Sequence, residues 1–364
     1  MGQLYNFAAG ISLEVLPSKY VDNILLNVPQ NAINESAISQ AKKLIRLARA
    51  KKTILDSGGF QIYVAEDEGK KISFENSKSL ENSDHKINIS PEHVVAAAIQ
   101  IRPDILMSLD FPIRKLDDPE DQEFEFNRKI GFNARWAIET SELRDKFCPE
   151  VKLFVPIQAY NLNQLHLFMR LIQGVNFDGL SMPLRNLTTN EIASFLVTYY
   201  EMGISEVHLL GSTSFSTISL VAYMAKHYFD FISIDATSWR KSAEYSIYLN
   251  PHDLRGEGIG SDAIIDDNIQ ITCPCPWCLR KTFTDIKNLP YTEKTSFLRC
   301  HNFFVINTFA NEAYLHADNL NTFKRFLLQK SRKPEEIESL CDMLAEITLL
   351  MDSDIKGLKR LLTP

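Results

Sequence analysis

The chain has 364 residues, 45% of them hydrophobic and 23% charged, which is ample material for a large buried core and excludes an unfolded, polar chain. A net charge of -7 excludes a surface coated in basic groups for indiscriminate nucleic-acid binding. It leaves room for a local basic patch, and Arg240, Lys241, Arg255, Arg280, Lys281, Lys287, Lys294 and Arg299 concentrate in one stretch.

Short apolar runs rich in β-branched residues recur along the chain, most of them followed by helical spacing. They fall at Gln3–Phe7, Asn23–Asn27, Lys52–Asp56, Asp104–Asp110, Lys152–Gln158, Asp178–Met182, Glu206–Gly211 and Asp230–Asp235. Between them the spacing predicts helices over Ile38–Ala50, Pro91–Ile101 with Ser90 as N-cap, Glu125–Lys146, Leu162–Gln173, Thr189–Met202 and Phe215–His227. Strand and helix alternating in this way predict an α/β fold, a closed (β/α)8 TIM barrel. Residues 65–90, with Glu66, Asp67, Glu68, Lys70 and Lys71 followed by several Asn and Ser, read as a polar insertion, either a hairpin or a loop at the barrel mouth. No apolar run is long enough to span a membrane and no basic-then-apolar leader opens the chain, so a cytoplasmic protein is expected, with no membrane partner.

Polar or glycine residues stand where these strands are expected to end: Asp56, Asp110, Gln158, Gly179 and Asp235. In a (β/α)8 barrel the C-terminal strand ends carry the active site, so three carboxylates and an amide are expected to meet in one cleft. Singly, each of them reads as well as a loop start or helix cap.

Cys273, Cys275 and Cys278 crowd into six residues stiffened by Pro274 and Pro276, a spacing that suits metal-binding thiolates rather than a disulfide framework. His301 is the expected fourth ligand, with Cys300 beside it as the alternative. Three cysteines and a histidine make a closed tetrahedral set that favours structural Zn(2+). The expected organisation is therefore a catalytic barrel over 1–260, a zinc-binding subdomain over 261–305 and C-terminal helices over 306–364. Those helices are predicted at Phe303–Ala317, Leu320–Ser331 and Glu335–Met351, packed on the barrel. Lys324, Arg325, Lys330, Arg332 and Lys333 read there as a solvated face, with a phosphate-binding surface as the alternative.

The run Asp56-Ser-Gly-Gly-Phe-Gln61, with the cysteine cluster and His301-Asn302, resembles the tRNA-guanine transglycosylase superfamily. Further pieces from Asn23 to His301 fall in the family's order, among them Ser108-Leu-Asp110, Ile157-Gln158, Leu210-Gly211 and Ile234-Asp235. The resemblance implies a pentosyltransferase that exchanges guanine in a polynucleotide for a 7-deazaguanine base through a covalent glycosyl-aspartate. It implies Asp235 as nucleophile and Asp56 as general acid/base. Substrate-binding positions implied in the same way are Ser57, Phe60, Asp110, Gln158, Gly179, Leu180, Leu210 and Arg240. Phe60 and Leu210 would sandwich a flipped base, and backbone at Gly179 and Leu180 would meet its polar edge.

The chain also departs from the family pattern. Gly179-Leu-Ser-Met-Pro-Leu184 lacks the glutamate of the usual Gly-Leu-Ala-Val-Gly-Glu, which favours a neutral, nitrile-bearing base (preQ0) over a cationic one. The segment Asp235–Glu244 departs from the usual Asp-to-Gly-Arg-Asn-Gly stretch, at positions where an anticodon loop would be met. The resemblance is accordingly to the divergent, DNA-modifying branch, with DNA favoured over tRNA as partner. A queuosine-type tRNA enzyme and a non-catalytic partner subunit are the alternatives, and a homodimer or a helper protein stays open.

Overall fold

The computed structural model describes residues 2–10, 21–28, 35–67, 72–73, 81–82, 89–260 and 271–353. Eight parallel strands build it: β1 (Gln3–Ala8), β2 (Asn23–Asn27), β3 (Lys52–Asp56), β4 (Ile105–Met107), β5 (Lys152–Pro156), β6 (Gly179–Pro183), β7 (Glu206–Leu210) and β8 (Phe231–Ala236). They form a closed barrel in the order β1-β8-β7-β6-β5-β4-β3-β2, the expected (β/α)8 arrangement. Each strand carries a continuous apolar stretch, such as fully buried Ile54 and Leu55, as a strand covered on both faces requires.

The chain divides into two compact units, one of residues 22–187 with 206–210 and one of residues 1–21, 188–205 and 211–364. The first holds β2 to β7 and the helices α1 (Glu35–Ala48), α2 (Gly59–Asp67), α3 (Pro91–Ile101), α4 (Pro119–Phe147) and α5 (Leu162–Leu171). Caps set the helix starts. Ser90, the expected one, accepts from the His93 N–H with Pro91 behind it, and Asp118 accepts from Glu120 and Asp121, so α4 begins ahead of the expected Glu125. Helix α2, which the residue pattern did not announce, starts directly after Ser57-Gly58. The polar insertion contributes a short antiparallel pair, Ile72–Ser73 with Glu81–Asn82; Glu68, Lys70 and Lys71 lie outside the described residues.

In the second unit β1 runs parallel to β8, Gln3 facing Phe231 and Phe7 facing Asp235. Its helices are α6 (Thr189–Glu201), α7 (Phe215–His227), α8 (Ser238–Glu244), α9 (Phe283–Lys287), α10 (Tyr291–His316), α11 (Leu320–Lys330) and α12 (Pro334–Ser353). Helix α10 packs on α7 and α8 and is continuous through residue 305, so the boundary expected there falls inside a helix. Lys330, Arg332 and Lys333 are paired with Glu312, Asp253 and Glu336, the behaviour of a solvated face. No helix among the described residues is long and apolar enough to cross a membrane.

Candidate base pocket and metal centre

Strand β3 ends on Asp56, and the chain turns sharply through Ser57 and Gly58, whose φ of +84° suits a residue without a side chain. Ser57, fully buried, donates its hydroxyl to Asp110 Oδ1 at 2.6 Å and accepts the Gly59 N–H at 3.2 Å. Gly59 lies so close to the aspartate that an added Cβ would sit 2.4 Å from Asp110 Oδ1. The second glycine of the motif is therefore required by packing, and the first by backbone conformation.

Asp110 follows β4 and is 6% exposed. Its other oxygen, Oδ2, accepts from Gln158 Nε2 at 2.7 Å, and Gln158 Oε1 in turn accepts the Ile113 N–H at 3.1 Å. That last bond fixes which way the amide points, so Gln158 presents its NH2 to the carboxylate. Burial pushes the Asp110 carboxyl up to about 6, while the hydrogen bonds from Ser57 and Gln158 oppose the rise. The backbone beyond is clamped from α4: the Asn133 amide accepts the Phe111 N–H at 2.6 Å and donates to the Phe111 carbonyl at 3.0 Å. Lys129, also on α4 and fully buried, donates to the Pro112 carbonyl at 2.8 Å and to Glu66 at 2.6 Å, and lies 4.2 Å over the Phe111 ring. Nothing in the residue pattern singled out Asn133 or Lys129, because the buried face of α4 also carries Gln122, Thr140, Ser141 and Arg144.

One expected strand end lies elsewhere. Gly179 opens β6 instead of ending it, with fully buried Leu180 after it, so neither occupies the C-terminal strand end; Pro183 and Leu184 do. The glycine is there because a Cβ would meet the Phe154 ring at 2.6 Å and the Glu206 carbonyl at 2.7 Å. Phe60 is 47% exposed on α2, its ring near-parallel to that of Tyr63, with centroids 6.0 Å apart. Leu210 closes β7, and its carbonyl accepts the Leu184 N–H at 2.9 Å.

In the other unit Asp235 is the penultimate residue of β8 and 6% exposed. The Gly211 N–H reaches both its backbone carbonyl, at 3.1 Å, and its carboxylate Oδ1, at 3.2 Å. Gly211 has φ +89°, and an added Cβ there would meet nothing within 4 Å, so open space adjoins the donor. Arg240 is tied down, half-buried: its Nη1 donates to the Gly10 carbonyl at 2.8 Å and its Nε to Glu244 at 3.1 Å, while Arg299 takes the same Glu244 oxygen. The guanidinium expected to meet substrate is thus engaged in holding the segment after Asp235.

The same unit gathers Cys273, Cys275, Cys278 and His301, all buried, with ligand atoms within 4.8 Å of one another. His301 Nδ1 lies 3.6, 3.4 and 3.3 Å from the three sulfurs. A tetrahedron with Zn–S and Zn–N arms of about 2.3 and 2.1 Å has S to N edges of about 3.6 Å, so the donor set fits a metal ion of that size. His301 Nε2 faces the Leu249 carbonyl at 2.8 Å, which keeps the proton there and leaves Nδ1 to ligate. Hydrogen bonding among the sulfurs lowers the Cys273 thiol and raises Cys278, so that one sulfur carries charge shared by its neighbours, the place a divalent cation would take. Cys300, the alternative ligand, is not part of the cluster. Tyr248 stacks on the imidazole at 3.8 Å. Asn302 accepts the Leu249 N–H at 2.9 Å and donates to the carbonyls of Ile247, at 3.0 Å, and Trp239, at 3.3 Å, on α8 behind Asp235.

No curated protein gives a significant match to the chain. A family model described as TGT, queuine tRNA-ribosyltransferase, matches residues 14–203, a segment that contains Asp56, Ser57, Asp110 and Gln158 and stops before Asp235 and the cysteines. That match covers just over half of the 364 residues, and with the closed barrel and the Cys3His cluster it places the chain in the tRNA-guanine transglycosylase family of base-exchanging pentosyltransferases.

Proposed function

We propose that the protein exchanges a guanine in a polynucleotide, DNA in preference to tRNA, for a 7-deazaguanine such as the nitrile-bearing preQ0. The observation that carries this reading is the Asp110 carboxylate, buried and oriented by Ser57 and Gln158, which offers its remaining lone pairs to the adjacent N–H donors of a guanine-type edge. In this reading an Asp235 oxygen attacks C1′, the bond from C1′ to guanine N9 breaks, and Asp56 delivers a proton to the departing base. The incoming base then attacks C1′ through N9, returns its proton to Asp56 and releases the Asp235 carboxylate. Gly211 holds Asp235 Oδ1 in place throughout. Cys273, Cys275, Cys278 and His301 would hold Zn(2+), whose chemistry here is structural cross-linking.

The preference for DNA rests on the segment after Asp235, where Arg240 and Glu244 are tied to Gly10 and Arg299. The tRNA alternative is favoured by the description of the matching family. Incubation with radiolabelled guanine and, separately, double-stranded DNA or unmodified tRNA separates the two, with Asp235→Asn as control. Label in DNA that is absent with the variant is expected. Label in tRNA alone would overturn the DNA assignment, and no label in either would overturn the catalytic reading in favour of a partner subunit.

A further inference from the structure

Ile113, in the loop after β4, is held at both of its backbone polar groups by one stretch of chain. Gln158 Oε1 accepts its N–H at 3.1 Å, and the Tyr160 hydroxyl donates to its carbonyl at 2.8 Å. Both side chains come from the segment that follows β5, two residues apart. Tyr160, half-buried, is fixed in turn: its N–H donates to Gln164 Oε1 at 3.0 Å. Gln164 is buried in the first turn of α5, where Asn161 accepts its N–H at 2.9 Å, and its Nε2 donates to Glu123 of α4 at 3.2 Å.

The orientation of the Gln158 amide depends on where Ile113 stands. With the Ile113 N–H on Oε1, Nε2 faces Asp110 Oδ2 at 2.7 Å. Turned over, the amide would set its oxygen against the carboxylate and its NH2 against an N–H, two repulsive meetings in a buried place. Ile113 is 2% exposed, and among the described residues Tyr160 is the one donor to its carbonyl. That donor keeps its proton, because burial pushes the Tyr160 hydroxyl up to about 12, with Arg185 opposing the rise and Tyr63 adding to it. The charged groups around the segment are engaged elsewhere: Lys129 with the Pro112 carbonyl, Glu66 and Glu125, Arg114 over the Tyr63 ring, and Lys115 with the Asn186 carbonyl. Asp110 is left with Ser57 and Gln158 as its side-chain donors.

We propose that Tyr160 is a positioning residue for base binding: its hydroxyl, acting through Ile113, holds the Gln158 amide with its NH2 toward Asp110 and so keeps the carboxylate aimed at a guanine-type edge. The role rests on the base-pocket reading above and deepens it, since Tyr160 touches neither Asp110 nor the base. It lies in one oxygen atom, because a phenylalanine would fill the same space and leave the Ile113 carbonyl without a donor. Once Ile113 is loose, the Gln158 amide can turn, and Asp110 loses one of its two donors. Its carboxyl then holds a proton more tightly, so its folded value rises further above the unfolded one. A raised folded value contributes stability that is lost as pH climbs through it, so the damage should grow with pH.

The test compares wild type, Tyr160→Phe and Ser141→Ala by urea unfolding at pH 5 and pH 8, and by equilibrium dialysis with radiolabelled guanine from pH 5 to pH 8.5. Ser141→Ala is the structural control: it removes one hydroxyl that donates to a carbonyl, that of Asn176 at 2.9 Å, outside the chain of contacts from Tyr160 to Asp110. Both variants should be less stable than wild type. Only in Tyr160→Phe should the deficit grow with pH, by about tenfold in the unfolding equilibrium constant between pH 5 and pH 8, as expected if the carboxyl rises by about one pH unit. The acid fall in guanine binding should move in that variant alone, from about 6 to roughly one pH unit higher, with affinity at pH 8.5 about two- to tenfold weaker. A Tyr160→Phe deficit that is equal at both pH values, with guanine binding still falling where it does in wild type, would overturn the proposal and leave the exchange reading intact. Failure of the wild type to bind guanine at pH 8.5 would overturn the base-pocket reading, and the role of Tyr160 in base binding with it.

Discussion

Replacing Asp110 by Asn should make the protein more stable at neutral pH and a poorer binder of guanine. Burial holds the carboxyl at about 6 against an ordinary value of 3.8. At about 1.4 kcal/mol per pH unit, keeping it ionised in the fold at pH 7.5 costs about 3 kcal/mol. Because the folded value is raised, the wild type loses stability as pH climbs from 3.8 through 6, where the folded protein gives up a proton the unfolded chain has already lost. An asparagine has no such loss. Its Oδ1 still accepts from Ser57, but its NH2 would face the Gln158 NH2, whose carbonyl is committed to Ile113, and that missing bond returns about 1 kcal/mol. The net gain is about 2 kcal/mol at pH 7.5 and about 0.5 kcal/mol at pH 5. Guanine meanwhile loses an anionic acceptor, worth about 1.5–3 kcal/mol, or roughly 10- to 150-fold in affinity. Urea unfolding at the two pH values and equilibrium dialysis with radiolabelled guanine read both effects. A variant equally stable relative to wild type at pH 7.5 and 5, or one that binds guanine as tightly as wild type, would refute the reasoning.

Base binding in the wild type should fall as pH drops through about 6, when Asp110 takes up a proton and loses its acceptor, and guanine binding measured between pH 5 and 8 checks it. Gly59→Ala, which forces a methyl to 2.4 Å from Asp110 Oδ1, should cut guanine exchange at least about tenfold with the helical circular-dichroism signal retained. Asn133→Ala removes two buried hydrogen bonds from Phe111 and should cost about 2–3 kcal/mol in urea unfolding. Metal analysis should find one zinc per chain, and Cys275→Ser or a strong chelator should lower the thermal midpoint sharply, since such sites contribute on the order of 10 kcal/mol.

Strand positions were legible because buried parallel strands are largely apolar runs, and β2 and β3 fall on the residues the pattern predicts. The cap of α3 was legible for a similar reason, since Ser90 is a local signal. The metal set was legible because its spacing is a covalent constraint, and the cluster gathers His301, the expected fourth ligand, and not Cys300. Strand ends were harder to place. Gly179 looked like a terminus because glycine commonly ends strands, yet it opens β6 to make room for the Phe154 ring, a contact from another strand that the local sequence does not reveal. Arg240 looked available for substrate because its partners, Gly10 and Glu244, include one far away in the chain. Helix α2 escaped notice since its apolar and polar residues show no helical stripe.

The pairing of β1 with β8 has a bearing on how the chain is assembled. Strand β1 leaves the ribosome before the other seven strands, but its partner is separated from it by everything from residue 9 to residue 230. Residues 22–187 can meanwhile complete the contacts between neighbouring strands from β2 to β6. Strand β1 therefore waits, unpaired along that edge, until Phe231–Ala236 has been made, and α10, which packs against it, comes later still. Such a delay makes closure of the first strand a late and slow event in biogenesis. It also makes the exposed edge of Gln3–Ala8 the place where a nascent chain of this protein would need protection from mispairing.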